Sequence, residues 1–539
     1  MAAPSAARGF GASALVTFDG RQLPEEARGL LRDHDVAGVS LARHRNAGPP
    51  ERVGALTDAI QTAGGTDGLP RLVAADQECG QLMALGEGFT PFAGNMALGA
   101  TDDADLAYRV AAAIGRELSA VGVNLNYAPV CDLATSAGNP ALGTRAFGDD
   151  PARVGRLVAA TVRGLQGEGV AATAKHFPGT GDADADPHLD LPALPHGLLR
   201  LDAVEIEPFR AAIEAGVSAV MVSHVAAPAV TGRADLPSSL SRTMVADMLR
   251  RGLDFEGVVL TDAMDMGAVG QGLDRVVEAV AALRAGGDLL LLWDKVEDER
   301  LLLDALARAH SRDVFDRAEL ASSRDRVAGL RRRLALRARP GFEVVGCAEH
   351  RSLARELAVR SVTLVRDEAG TLPIRDGARV AAIVVRPADL TPADTSSTVD
   401  VELAEAIRDR RHAVDAFVTE HPPTAEEIAG IRERVREHDV VVVGTLDASR
   451  DPRQAALVAA LHESGPPVVW VALRSPWDLS AYPQASTYAC TYGIHRPSMD
   501  ALAAALSGDA SFLGSLPVDL CTQYARGHGL DGTGDRART

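Results

Sequence analysis

Short apolar runs recur along the first 330 residues, separated by longer segments with helical spacing. The runs are ALVTF (14–18), VAGVSLA (36–42), LVAAD (72–76) and VNLNYAPV (123–130), then VAATAKH (170–176), VSAVMVSH (217–224), VVLTD (258–262) and DLLLLW (288–293). Each is rich in Val, Leu or Ala and too short for a helix, which predicts buried strands. DADLAYRVAAAIGRELSAVG (103–122) and DRVVEAVAALRAGG (274–287) carry helix formers and end in glycine, as helices do. Eight strand–helix units predict an α/β fold of the (β/α)8 TIM-barrel type. Such a barrel places its site at the C-terminal ends of its strands. Polar residues collect there: Asp76, Asp132, Lys175, His176, His224 and Asp262, with Trp293 closing the last run. Strand ends are commonly polar in any sheet, which accounts for part of this set.

A second α/β pattern follows, in SVTLVRD (361–367), RVAAIVV (379–385), DVVVVGTLD (439–447), PPVVWVALRSP (466–476) and STYACTYG (486–493). It predicts a smaller domain with a largely parallel sheet. The expected organisation is a catalytic barrel over 1–340, a C-terminal α/β domain over 341–525 and a disordered tail over 526–539. The basic segment LRRRLALRARPG (330–341) between them reads as a solvated helix face.

A net charge of −18 excludes nucleic acid and anionic membrane as expected partners. Five dispersed cysteines, odd in number and without a CxxC, fit a reducing compartment and offer no zinc site. No basic region followed by a sustained apolar stretch opens the chain, and no run approaches a membrane span. A cytoplasmic enzyme is the expectation.

The stretch KHFPGTGDADADPHLDLP (175–192) is too polar and too broken for a core element. Asp182, Asp184 and Asp186 have the spacing that opens a calcium loop. The sixth and twelfth positions, which should be Gly and Glu, hold Pro187 and Ala193. His176 and His188 are too far apart for zinc-type helical spacing. No metal and no cofactor is expected. Asp182, Asp184 and Asp190 read as turn formers. Asp186-Pro187-His188 is different. Proline pushes its predecessor toward extended geometry, so residues i and i+2 point the same way. Asp186 then orients the His188 imidazole and raises its pKa, a general acid–base arrangement. Lys175 at a strand end admits a surface ion pair or a Schiff-base role, and Asp262 admits a helix N-cap role.

The loop resembles that of glycoside hydrolase family 3, in its β-N-acetylglucosaminidase branch, where it reads roughly KHFPGHGDTxxDSHxxLP. FEGVVLTDAMDMGAV (255–269) resembles the family's nucleophile segment. DQECG (76–80), GFTPFAGNMALGA (88–100), APVCDL (128–133), NPALGTRAFGDDP (139–151), MVSHVAAPAV (221–230) and LPSSLS (236–241) match as well. The second half looks like the α/β sandwich that follows the barrel in longer members. The resemblance implies a retaining exo-β-N-acetylglucosaminidase that acts on cell-wall or chitin-derived saccharides, as in peptidoglycan recycling. Asp262 would be the nucleophile, and His188 the acid–base supported by Asp186. Asp76, Arg145, Lys175 and His176 would contact the sugar, with Asp132 and His224 also assigned to the substrate side as support or floor.

The chain departs from the family pattern at Gln81 and Ala84, where arginines are usual, at Thr180 for histidine and at Pro187 for serine. Two alternatives stay open, the second because of these departures. One is a β-N-acetylglucosaminide phosphorylase, since a neutral imidazole lets phosphate approach. The other is a saccharide-binding homologue with impaired catalysis.

Overall fold

In a computed structural model, which describes residues 10–65, 67–139, 141–183, 185–270 and 274–531, every run of the first half becomes a strand. Ala14–Val16, Gly38–Leu41, Leu72–Ala75, Leu125–Asn126, Ala171–Phe177, Ala219–Val222, Val258–Ala263 and Leu289–Leu291 are all parallel. They close a barrel in chain order, the last strand pairing with the first. Successive side chains of a strand point to opposite faces, and the core divides accordingly. Leu15, Leu72, Ala74, Leu125 and Leu260 belong to the barrel interior. Val39, Val73, Val220 and Val259 pack with the surrounding helices.

The segment 103–122 shows how local chemistry sets a helix. Asp103 caps Ala104–Ala120 by accepting from the Asp105 and Leu106 amides at 2.8 and 3.0 Å. Gly122, at φ +79°, lets the chain turn back into the next strand.

The basic segment departs from a purely solvated face. In the helix Arg317–Leu334, Arg332 and Arg333 are exposed, but Arg331 is buried. Its guanidinium meets the Asp67 carboxylate at 2.7 Å and the Pro70 carbonyl at 2.9 Å. Arg331 thus fastens the end of this helix, and Val327 and Leu330 join the barrel's interior cluster.

The second sheet has six strands in the order Thr363–Asp367, Thr487–Cys490, Val468–Ala472, Val440–Thr445, Arg379–Val385 and Ala413–Thr419. Only the first pairs antiparallel. The edge strand Ala413–Thr419 is absent from the run pattern because only Phe417 and Thr419 are buried in it. The tail expected to start at 526 is ordered further on. Leu530 donates its amide to the Leu364 carbonyl at 2.8 Å, and His528 bonds the Val365 carbonyl at 2.7 Å. Residues 532–539 lie outside the described residues, as does Asp184.

The two halves are joined by polar contacts, some buried and some half-exposed. Glu117 accepts from the His350 ring at 2.8 Å, and Arg109 meets Glu356 in a two-pronged pair. Near the barrel mouth, the Thr395 amide donates to the Gln81 carbonyl at 3.0 Å, and the Thr395 hydroxyl accepts from the Met83 amide at 3.1 Å. A loop of the second domain therefore rests on the barrel's rim. Among the described residues, no helix is long and apolar enough to cross a membrane.

Candidate active site

The C-terminal ends of the barrel strands open into a cavity of about 360 Å³. Asp76, Arg145, Lys175, His176, His188 and Asp262 line it, and Ala393, Asp394 and Thr395 of the second domain close one side.

One half of the site is a buried ion cluster. Glu78, fully enclosed, accepts from Arg145 at 2.8 and 3.0 Å and pairs with Lys175 at 2.5 Å. Lys175 also meets Asp76 at 2.6 Å. Burial alone would raise the Glu78 pKa, but the two cations outweigh it and hold the carboxyl down at about 2. Burial works against the Lys175 ammonium too, yet Asp76 and Glu78 raise its pKa overall. Lys175 is thus a fixed cation, which disfavours the Schiff-base role, since that chemistry needs a neutral amine. It is also no surface ion pair, being 1% exposed.

Asp132 is fully buried beneath this cluster. It takes the His176 Nδ1 at 2.6 Å and the Thr180 amide at 2.7 Å. Burial pushes its carboxyl up and His176 pulls it down further, so it stays ionised. That contact fixes the tautomer of His176 and leaves Nε2 toward Arg145, 3.4 Å away. The peptide between Lys175 and His176 is cis.

The other half centres on Asp262, near the end of Val258–Ala263. Its Oδ1 accepts from the Ala263 amide at 2.9 Å. Burial raises its pKa, but His176, His224 and His188 outweigh that and the net shift is downward. His224 is also fully buried, with Nδ1 on the Ser239 hydroxyl at 2.7 Å and Nε2 on the Ala263 carbonyl at 3.1 Å. Burial lowers its pKa first of all. Asp132 and His224 therefore brace the cavity from behind instead of lining it.

Asp186 and His188 meet, but across a turn and not in the extended geometry expected: the Leu189 and Asp190 amides donate to the Asp186 carbonyl at 2.9 and 3.2 Å. Asp186 Oδ1 takes both the His188 amide at 2.9 Å and Nδ1 at 2.7 Å. Burial raises the Asp186 pKa, but the His188 contacts outweigh it, so the carboxylate persists. Nδ1 is committed to Asp186, which leaves Nε2 for the substrate. The loop is docked on the segment after Asp262. Gly267 donates its amide to the His188 carbonyl at 2.9 Å, and Ala268 to the Pro187 carbonyl at 3.1 Å. A Cβ on Gly267 would lie 2.6 Å from the Leu189 carbonyl oxygen, so glycine is what lets the two loops touch. Pro187 needs no N–H here and contributes its carbonyl.

Two residues at the site had no assigned role in the sequence. Glu78 sits two positions after Asp76, and that same-side spacing in extended chain was the available signal. Arg43 lines the cavity beside Ala84 and donates to the Thr398 hydroxyl at 2.9 Å, putting a guanidinium near the position of a missing one. Gln81 faces elsewhere, its side-chain oxygen accepting from the Thr144 amide at 3.2 Å. Trp293 both lines the cavity and packs on the barrel core, with the Arg45 guanidinium 5.8 Å from its ring.

The family profile described as Glycosyl hydrolase family 3 N terminal domain matches residues 12–330. The chain belongs to glycosyl hydrolase family 3. Relatives extend beyond the family's N-terminal domain. A solved family 3 beta-N-acetylglucosaminidase from Paenibacillus sp. str. FPU-7 superposes with a TM-score of 0.90 at 34% identity, over 96% of this chain and 99% of that one. A beta-N-acetylglucosaminidase/beta-glucosidase of Cellulomonas fimi is 31% identical over 93% of this chain and 92% of its own. Beta-hexosaminidase A of Pseudoalteromonas piscicida is 29% identical over 92% and 91%. This family 3 enzyme is a glycoside hydrolase whose cavity is lined by Asp262 and by His188, the latter held by Asp186.

Proposed function

We propose that this family 3 glycoside hydrolase is a retaining exo-β-N-acetylglucosaminidase that removes terminal β-linked N-acetylglucosamine from cell-wall or chitin-derived saccharides in the cytoplasm. The observation that carries the reading is His188, held by Asp186 at 2.7 Å and lining the same cavity as Asp262. The relatives named for N-acetylglucosamine support the substrate class. The free, dispersed cysteines support a reducing compartment.

In the first step the Asp262 carboxylate attacks the anomeric carbon while His188 Nε2–H gives its proton to the departing oxygen. The Asp186 carboxylate stabilises the imidazolium that precedes transfer. In the second step neutral His188 takes a proton from water, and the water oxygen displaces Asp262 from the sugar. A histidine in this role adds no negative charge beside the nucleophile. Lys175, Arg145, Asp76 and His176 supply donors and acceptors for the sugar hydroxyls, and Asp132 and His224 hold that frame.

A panel of aryl β-glycosides, run with and without phosphate, tests the reading. The expected result is preference for the N-acetylglucosaminide over the glucoside and xyloside, with free sugar as the product at every phosphate concentration. Sugar 1-phosphate as the main product would assign phosphorolysis instead. Binding without turnover of any glycoside would assign the saccharide-binding alternative.

A further inference from the structure

A second histidine–carboxylate pair lies at the base of the loop that carries Asp186 and His188. Asp182 and His196 flank the loop, and His196 Nε2 meets Asp182 Oδ2 at 2.6 Å. The other oxygen of Asp182 accepts from the Thr135 hydroxyl at 2.6 Å, tying the pair to the barrel loop after the fourth strand. Glu205, 3% exposed, lies 3.8 Å from His196 Nε2. It accepts from the Arg200 Nε at 3.0 Å, while the Arg200 terminal nitrogen reaches Asp182 at 3.5 Å. Asp182, His196 and Glu205 have the atoms of a metal site. Arg200 already supplies the positive charge between the two carboxylates, and the His196–Asp182 separation is that of a hydrogen bond. The arrangement is therefore that of a protein clasp.

Chain entering the loop is fixed as well. Asn139 donates to the Thr180 and Gly181 carbonyls at 2.7 and 3.0 Å, and the Thr180 amide is held by Asp132. At its far side the loop touches the Asp262 segment through backbone contacts at Pro187 and His188. The two ends of the loop are thus set by Asp132 and Asn139 on one side and by His196 through Asp182 on the other. Thr180 stands where the resemblance expects histidine, and it cannot supply an imidazole to this base; His196 supplies one from the exit of the loop.

We infer that His196, through Asp182, is a positioning residue for catalysis: it closes the base of the loop and so sets where the His188 Nε2 proton meets the leaving oxygen. The inference rests on the reading of His188 as the acid–base. Its signature is dependence on the leaving group. A dinitrophenolate departs without a proton, whereas a sugar alkoxide needs one, and kcat/KM reports the step in which it leaves.

The test compares kcat/KM of the parent, H196A, H196Q, H188A and H196A/H188A on dinitrophenyl N-acetyl-β-glucosaminide and on chitobiose. H188A should lose about 100-fold or more on chitobiose and far less on the dinitrophenyl substrate. H196A should lose about tenfold or more on chitobiose and less than about threefold on the other. H196Q, whose amide can still donate to Asp182, should recover most of the loss. Adding H196A to H188A should cost nothing further on either substrate. Should H196A not fold, T135V, which removes the other hydrogen bond to Asp182, carries the same expectation. Equal losses of H196A or T135V on both substrates, or additivity with H188A, overturn the clasp while leaving the acid–base reading intact. Equal losses of H188A itself on both substrates overturn the acid–base reading.

Discussion

Replacing Asp262 with asparagine is expected to lower kcat/KM on an aryl N-acetyl-β-glucosaminide by about 10⁴-fold or more while the protein stays folded, in line with losses on removing a nucleophile. The side chain is buried at a strand end, where desolvation on its own would protonate it. His176, His224 and His188 outweigh that penalty, so the carboxylate is anionic throughout the neutral range. Asparagine has the same shape, and its oxygen can still accept from the Ala263 amide. What it lacks is the charge that, in the proposed mechanism, attacks the anomeric carbon. Steady-state kinetics with a circular-dichroism control reads the effect. Activity within tenfold of the parent would move the nucleophile elsewhere.

The second large effect concerns Glu78. E78Q should destabilise the enzyme by about 3–5 kcal/mol at neutral pH, the cost of breaking a buried ion pair from one side. Arg145 and Lys175 converge on this carboxylate, and a neutral amide leaves both packed together with Asp76 and Asp132 as the remaining counter-charges. The pH dependence follows from the direction of the shift. The carboxyl is held at about 2, below its ordinary 4.5, so its stabilisation is complete above 4.5 and is lost as the pH falls toward 2. Denaturant unfolding midpoints should therefore differ most between parent and E78Q at neutral pH and converge as the pH falls from 4.5 toward 2. A constant gap across that range would mean that Glu78 acts through shape and not through charge.

The barrel was legible because its strands are buried on both faces and so read as continuous apolar runs. The edge strand Ala413–Thr419 faces solvent along much of its length, and its polar positions hide it. Arg331 read as solvated because charge in a sequence carries no sign of a buried partner, and Asp67 is far away in the chain. The Asp186–His188 contact was legible from the short separation of the two residues, but the turn that joins them, closed by the Leu189 amide on the Asp186 carbonyl, reads as extended chain in the sequence. Asp132 and His224 were legible as strand-end polar residues, but the pattern does not tell a side chain facing the cavity from one facing its supports. Glu78 was hidden for the opposite reason: a carboxylate between Asp76 and a turn looks like solvated surface until Arg145 and Lys175 are brought in from distant parts of the chain. The same limit applies to the second domain, whose Ala393–Thr395 wall exists only once the loop rests on Gln81 and Met83.

The central claim is a covalent sugar on Asp262, released with the help of His188. A ring-fluorinated N-acetylglucosaminyl fluoride tests it most directly. The ring fluorine destabilises positive charge at the anomeric centre and slows both steps, while the fluoride leaving group departs without a proton and favours the first. In H188A, which lacks the base for the second step, the adduct should accumulate. Mass spectrometry of the quenched, digested protein should find one added sugar, on the peptide that carries Asp262, and none in D262N. An unlabelled protein that still turns the probe over, or a sugar on any other residue, would contradict the account.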